Sequence, residues 1–273
     1  MNTDNSSVKR HALFLFFVLA YGFSWGTFFI MGGPFVFPLG ALLAAFIMAS
    51  LTGGLKDLLS RMFRWRVGIQ WYAAALLVPA TIATAALYLN VLLGAPVPTG
   101  AQLGPWYGLF LLFPGALLDA PFWEETGWRG FALPKLLGRR SALFSALLVG
   151  VLWGTVHLAL HLPGLMFAGW PWPATMLELI GISVVITWLF VNTRGSLVIV
   201  TLYHAAQNFF LIVNEGISGP QQLWLMVMSY AALVLILIAL FGPALRRGPS
   251  DLPAGIDEVQ LVDPQTGAAK RVG

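Results

Sequence analysis

Leu223-Trp-Leu-Met-Val-Met-Ser-Tyr-Ala-Ala-Leu-Val-Leu-Ile-Leu-Ile-Ala-Leu-Phe241 contains no charged side chain. At 1.5 Å of rise per residue, a helix of this length covers most of the ~30 Å hydrocarbon core of a bilayer. Residues 71–93 and 141–160 read just as clearly. Extending the same reading in both directions adds 12–30, 34–51, 106–122 with its continuation, 174–191 and 196–213. The fold class expected is therefore all-α, a polytopic transmembrane helix bundle of about eight spans.

The connections test that count. Basic residues fall before the first span (Lys9, Arg10), between the second and third (Lys56, Arg61, Arg64, Arg66) and between the fourth and fifth (Lys135, Arg139, Arg140). They recur between the sixth and seventh (Arg194) and after the eighth (Arg246, Arg247). The alternate connections 31–33, 94–105, 161–173 and 214–222 hold no Lys or Arg. Such alternation is what an even number of spans with both termini in the cytoplasm requires. Trp71, Tyr72, Trp106, Tyr107, Trp170 and Trp172 stand near span ends, as interfacial aromatic residues do.

Composition agrees. Of the 273 residues 58% are hydrophobic and 10% charged, where a soluble domain carries roughly a quarter charged. Mean hydropathy is +0.81. No polar stretch is long enough to fold separately, so residues 12–247 read as one bundle. Residues 1–11 form a polar cytoplasmic N-terminus, and 248–273 a flexible cytoplasmic tail rich in Pro, Gly and Asp. Lys9, Arg10 and His11 before an apolar run look like the start of a signal peptide. The run lacks a small-residue cleavage pattern, so it reads as an uncleaved first span.

The net charge of +4 is accounted for by the basic loops. Arg64, Trp65 and Arg66 read as an anchor at the membrane surface rather than a nucleic-acid patch. The absence of cysteine removes disulfides, thiolate metal sites and cysteine nucleophiles together.

Polar groups inside apolar spans cost several kcal/mol and so mark function by default. The richest cluster is Phe122-Trp-Glu-Glu-Thr-Gly-Trp-Arg-Gly130. Glu125 and Arg129 stand four apart, on one helical face, where they can pair. Glu124 then lies on a neighbouring face with no partner in the motif, available for proton chemistry. His157 follows in Trp153-Gly-Thr-Val-His157, and His204-Ala-Ala-Gln-Asn208 places a third group on one face. Counted from the nearest basic loop, Glu124 and His204 lie about 16 and 15 Å deep and His157 about 24 Å.

Several residues carry blander readings. Asp119 can lie behind the site, Glu178 reads as solvated near the non-cytoplasmic interface, and Asn214 and Glu215 are loop residues. His157 and His161 have the spacing of a helical zinc pair, but Leu158 takes the place of the glutamate in His-Glu-x-x-His. His161 also sits at the span's end, which makes a metal role there unexpected.

The ordered set Glu124-Glu125-Thr-Gly-Trp-Arg129, Trp153-Gly-Thr-Val-His157 and His204-Ala-Ala-Gln-Asn208 resembles the CPBP family of intramembrane proteases. That family includes the type II CAAX prenyl endopeptidases and the bacteriocin-processing and self-immunity proteins. Thr193-Arg-Gly-Ser-Leu197 is similar to the lead-in to the family's last motif. The resemblance covers about 113–210, and Trp153 stands where the family often has Phe.

The resemblance implies an intramembrane endopeptidase in which Glu124 activates water together with His157. His204 and Asn208 would orient substrate or hold the oxyanion, and Glu125 with Arg129 would fix the helix geometry. It also implies a multi-pass protein of a prokaryotic plasma membrane. Its partners would be the bilayer and a membrane-associated peptide or lipidated protein substrate, with no nucleic acid. Members are often labelled metalloproteases, and Glu124, His157 and His204 would make a three-ligand zinc site. Two adjacent glutamates and an Asn favour the metal-free version, with the metal left unassigned and zinc as the alternative cofactor. Rival readings are a transporter, which would usually show repeated halves, and a catalytically silent immunity or scaffold protein.

Overall fold

The computed structural model describes residues 4–31, 39–97, 113–117, 120–213 and 219–247, and its regular elements among them are all helical. Most of the sequence-read span at 106–122 lies outside the described residues. So do Asp119, Asn214, Glu215 and the tail 248–273.

Helix α1 (Asp4–Arg10) leads into α2 (Ala12–Met31), and α3 (Gly40–Thr52) into the short α4 (Leu55–Met62). A long α5 (Ile69–Leu92) follows. Then come α6 (Ala120–Gly127), a π-helical turn (Trp128–Ala132) and α7 (Leu133–Leu137). Helix α8 (Ala142–Val156) tightens into a 3₁₀ turn (His157–His161); α9 (Trp172–Asn192), α10 (Leu197–Val213) and α11 (Pro220–Phe241) complete the bundle.

Four helical stretches are long and apolar enough to cross a bilayer: Ile69–Leu92, Ala142–His161, Trp172–Asn192 and Pro220–Ala244. Ala12–Gly26, Gly40–Thr52 and Leu197–Phe210 are apolar but shorter. The 13 residues of α3 reach only about 20 Å. They stop where Gly53 turns left-handed (φ 81°) and the Gly54 N–H returns to the Ala49 carbonyl at 2.8 Å, a glycine-dependent helix end. The protein is an integral membrane protein.

Between helices in lipid, close packing replaces the hydrophobic drive, and small residues supply it here. A Cβ on Gly127 would fall 2.5 Å from that of Ala41, so α6 lies directly on α3. A Cβ on Gly150 would fall 2.9 Å from the Ile180 Cα, where α8 crosses α9. Helix α10 packs on α5, α6 and α9, and α11 closes against α5 and α9.

The depth of α10 is set at its start. Arg194 and Gly195 both take positive φ, 53° and 80°, and the Arg64 guanidinium donates to the Arg194 carbonyl. Ser196 Oγ returns a hydrogen bond to the Arg64 carbonyl at 2.5 Å. This clasp fixes where the helix bearing His204 and Asn208 enters the bundle.

Candidate active site

Glu124 and Glu125 lie in the last turn of α6, which Thr126 and Gly127 complete before the π turn. A turn closed i to i+5 holds more residues than an α turn, which brings Arg129 beneath Glu125. Arg129 donates from Nη1 to Glu125 Oε1 at 2.9 Å, and neither side chain has measurable exposure. The turn is anchored by its aromatics: Trp128 and Phe131 lie 5.7 and 5.2 Å from Phe16 of α2, centroid to centroid.

His204, from α10, brings Nδ1 to within 2.8 Å of the same Glu125 Oε1. Oε1 also accepts from Arg129, and with an acceptor at that position Nδ1 is the donor. The carboxylate thereby orients the imidazole and leaves Nε2 directed away from it. His157 caps α8, and its Nδ1 donates to the Trp153 carbonyl at 2.9 Å. A carbonyl can only accept, so Nδ1 of His157 carries the hydrogen and Nε2 of the neutral ring the lone pair.

Trp153 joins these groups. Its Nε1 donates to Glu124 Oε2 at 2.6 Å. Its ring meets those of His157 and His204 edge-on, with centroids 5.3 and 5.2 Å apart, and the Arg129 guanidinium lies 4.6 Å above it. Glu124 is half-buried and Glu125 fully buried. Two adjacent carboxylates therefore occupy different environments, one locked between two cationic or donor groups and one facing the partly accessible side. Asn208 is half-buried one turn beyond His204.

The C-terminal end of α8 is held by α2: Tyr21 donates to the Leu152 carbonyl at 2.6 Å and Trp25 to the Val156 carbonyl at 3.0 Å. His157 sits at the junction so fixed. The indole of Trp153, one turn earlier on α8, meets both His157 and His204, so the three motifs converge although residue counting gives His157 a greater depth.

Residues 104–210 match the family model described as Type II CAAX prenyl endopeptidase Rce1-like. The match takes in all three motifs, Glu124-Glu125 with Arg129, Trp153 with His157, and His204 with Asn208. A CAAX prenyl protease 2 from Methanococcus maripaludis is 25% identical over 184 residues, covering 61% of this chain and 64% of that protein. The chain thus spans less than two thirds of that relative's length.

The reading of Glu178 requires a correction. It is not solvated at an interface but only 6% exposed. Helix α9 is the most enclosed of the four long spans and leaves that position no face toward solvent. Gln207 Nε2 donates to Glu178 Oε1 at 3.3 Å, and Tyr230 donates to Gln207 Oε1 at 2.5 Å. The Tyr203 and Tyr230 hydroxyls meet at 3.0 Å. This chain of four polar groups ties α9, α10 and α11 together beside His204. Spacing could not reveal it, because its members come from three helices; the only signal in the sequence was an acid inside a span.

His161 donates from Nδ1 to the Trp170 carbonyl at 3.2 Å and packs against Phe167 and Trp172. In the 3₁₀ turn, residues four apart lie about 120° apart around the axis, so His157 and His161 do not share a face. No group of three His, Asp or Glu side chains among the described residues is placed to hold a metal ion. In the set Glu124, His157 and His204, the hydrogen bonds engage Oε2 of the carboxylate and Nδ1 of each imidazole.

Proposed function

We propose that the chain is an intramembrane endopeptidase hydrolysing a peptide bond in a membrane-associated peptide or lipidated protein. The supporting observation is that three separate helical segments bring Glu124, His157 and His204 onto one indole, Trp153. Side chains this costly to bury have no packing reason to meet there.

In this reading Glu124 takes a proton from water, with the His157 Nε2 lone pair completing the water's orientation. The water oxygen attacks the scissile carbonyl, and the C–O π electrons move to the oxygen. His204, protonated and held at Nδ1 by Glu125, donates from Nε2 to that oxyanion, and Asn208 offers its amide as a second donor. The tetrahedral carbon then expels the amine as Glu124 returns its proton to nitrogen. Arg129 and Glu125 hold His204 and the π turn in place. No step uses a metal.

Eight spans, both termini on the cytoplasmic side and a prokaryotic plasma membrane belong to the same reading, supported by the alternation of basic loops. The name of the archaeal relative makes a prenylated C-terminal peptide the first substrate to try. Cleavage of such a peptide by the purified chain, lost in both Glu124→Ala and His204→Ala while the variants stay folded, is the expected result. Full activity in either variant refutes the assignment.

A further inference from the structure

The hydrolytic reading leaves unused a cavity of about 460 Å³ at the basic end of the bundle. Its walls come from α1, the start of α2, α4, the π turn and α7. Among the described residues five cations line it, Lys9, Arg10, Arg61, Lys135 and Arg139, against the carboxylate of Asp57. Asp57 is already taken: Arg61 Nε donates to its Oδ1 at 3.2 Å, and a second Arg61 nitrogen pairs with its Oδ2. Among the described residues, four positive charges therefore converge with no carboxylate of their own in the cavity.

Arg61 is only 5% exposed and also donates from Nη1 to the Gly130 carbonyl at 3.3 Å. The Lys135 ammonium sits over the Phe131 ring, 4.7 Å from its centroid. Such crowding carries an electrostatic cost. Burial and then Arg64 bring the Arg61 guanidinium down to about 10, and burial, Arg61 and Arg139 lower the Lys135 ammonium. A bound anion would relieve both. The same cavity has an apolar side in Leu13, Leu58 and Phe131, at the level where the apolar helix α2 begins.

We propose that this cavity binds the phosphate of an anionic phospholipid headgroup, with the acyl chains leaving along the apolar side. Basic pockets of this kind, between helices at the membrane surface, suit a phosphodiester better than a neutral headgroup. Guanidinium groups add directed hydrogen bonds to phosphate oxygens. The site is built independently of the hydrolytic reading.

The test is native mass spectrometry of the full chain in neutral detergent, offered phosphatidylglycerol or phosphatidylcholine with identical acyl chains. Phosphatidylglycerol should be retained about tenfold or more over phosphatidylcholine. Lys9→Gln combined with Arg139→Gln should reduce that preference to near parity. Both residues are exposed and neither touches the Glu124 cluster, so the variant should fold even if Arg61→Gln does not. In a second arm, inorganic phosphate that displaces phosphatidylglycerol supports recognition of phosphate itself; lipid that resists displacement supports the intact headgroup and chains as ligand. Equal retention of the two lipids, or a preference unchanged in the double variant, overturns the proposal.

Discussion

Trp153 donates its indole N–H to Glu124 across 2.6 Å, and the next turn of the same helix carries His157. The indole thus holds one carboxylate oxygen and leaves the other for a water. It also covers the ion pair beneath, since Arg129 lies on its ring. A Phe at this position would keep the stacking and lose the donor.

Trp153→Phe therefore separates the two roles. A hydrogen bond to a charged group contributes about 1.5–3 kcal/mol, so cleavage should fall by roughly ten- to a hundredfold with thermal stability in detergent nearly unchanged. Trp153→Ala removes the packing as well and should lower stability by about 3–5 kcal/mol. Wild-type turnover by the Phe variant would show that the donor has no part in catalysis.

Glu124 and Glu125 should respond in opposite ways. Breaking a fully buried ion pair by removing one member costs about 3–5 kcal/mol, so Glu125→Ala and Arg129→Ala should unfold at clearly lower temperature. Glu124→Gln should unfold near the wild-type temperature while losing cleavage. A thermal shift series on the three variants checks this, and a destabilised Glu124→Gln would contradict the division.

Metal content offers a separate check. Purified protein should carry far less than one zinc per chain by elemental analysis, and chelator should leave cleavage unaffected. Stoichiometric zinc lost together with activity would contradict the metal-free mechanism.

Glu178 should tolerate amide but not hydrocarbon. Glu178→Gln keeps an acceptor for Gln207, whereas Glu178→Leu leaves that buried donor unmet, at about 1–3 kcal/mol. Comparison of the two variants by thermal unfolding and by KM against kcat distinguishes a brace on α10 from a group in the reaction. A brace shifts stability in Leu and little in Gln; equal loss of kcat in both would place Glu178 in the chemistry.

The helix contact at Gly127 should be equally sensitive. With Ala41 already 2.5 Å from the place of a Cβ, Gly127→Val forces α6 from α3. Overpacking of this kind costs about 1–3 kcal/mol, and here it also displaces the two glutamates that lie just before the close contact. Loss of activity larger than the stability change predicts is the outcome expected, read from cleavage rate and unfolding temperature of the same preparation.

Much of this protein was legible before any coordinates. Long uncharged runs such as 71–93 and 223–241 dictate helices in lipid, because an apolar segment of that length satisfies its backbone only within itself there. The Glu125–Arg129 spacing and the His204–Asn208 spacing are local geometry, fixed by the helix alone. What crosses between helices is not local. Neither the sharing of Glu125 between Arg129 and His204, nor the meeting of both imidazoles on Trp153, follows from any spacing along the chain. Glu178 shows the same limit: composition places an acid near a span end, but only the packing of α9 against α10 and α11 turns it inward. Sequence determined which groups would be costly to bury; the tertiary contacts decided which of them share that cost, because pairing energy depends on distances between helices that periodicity does not encode.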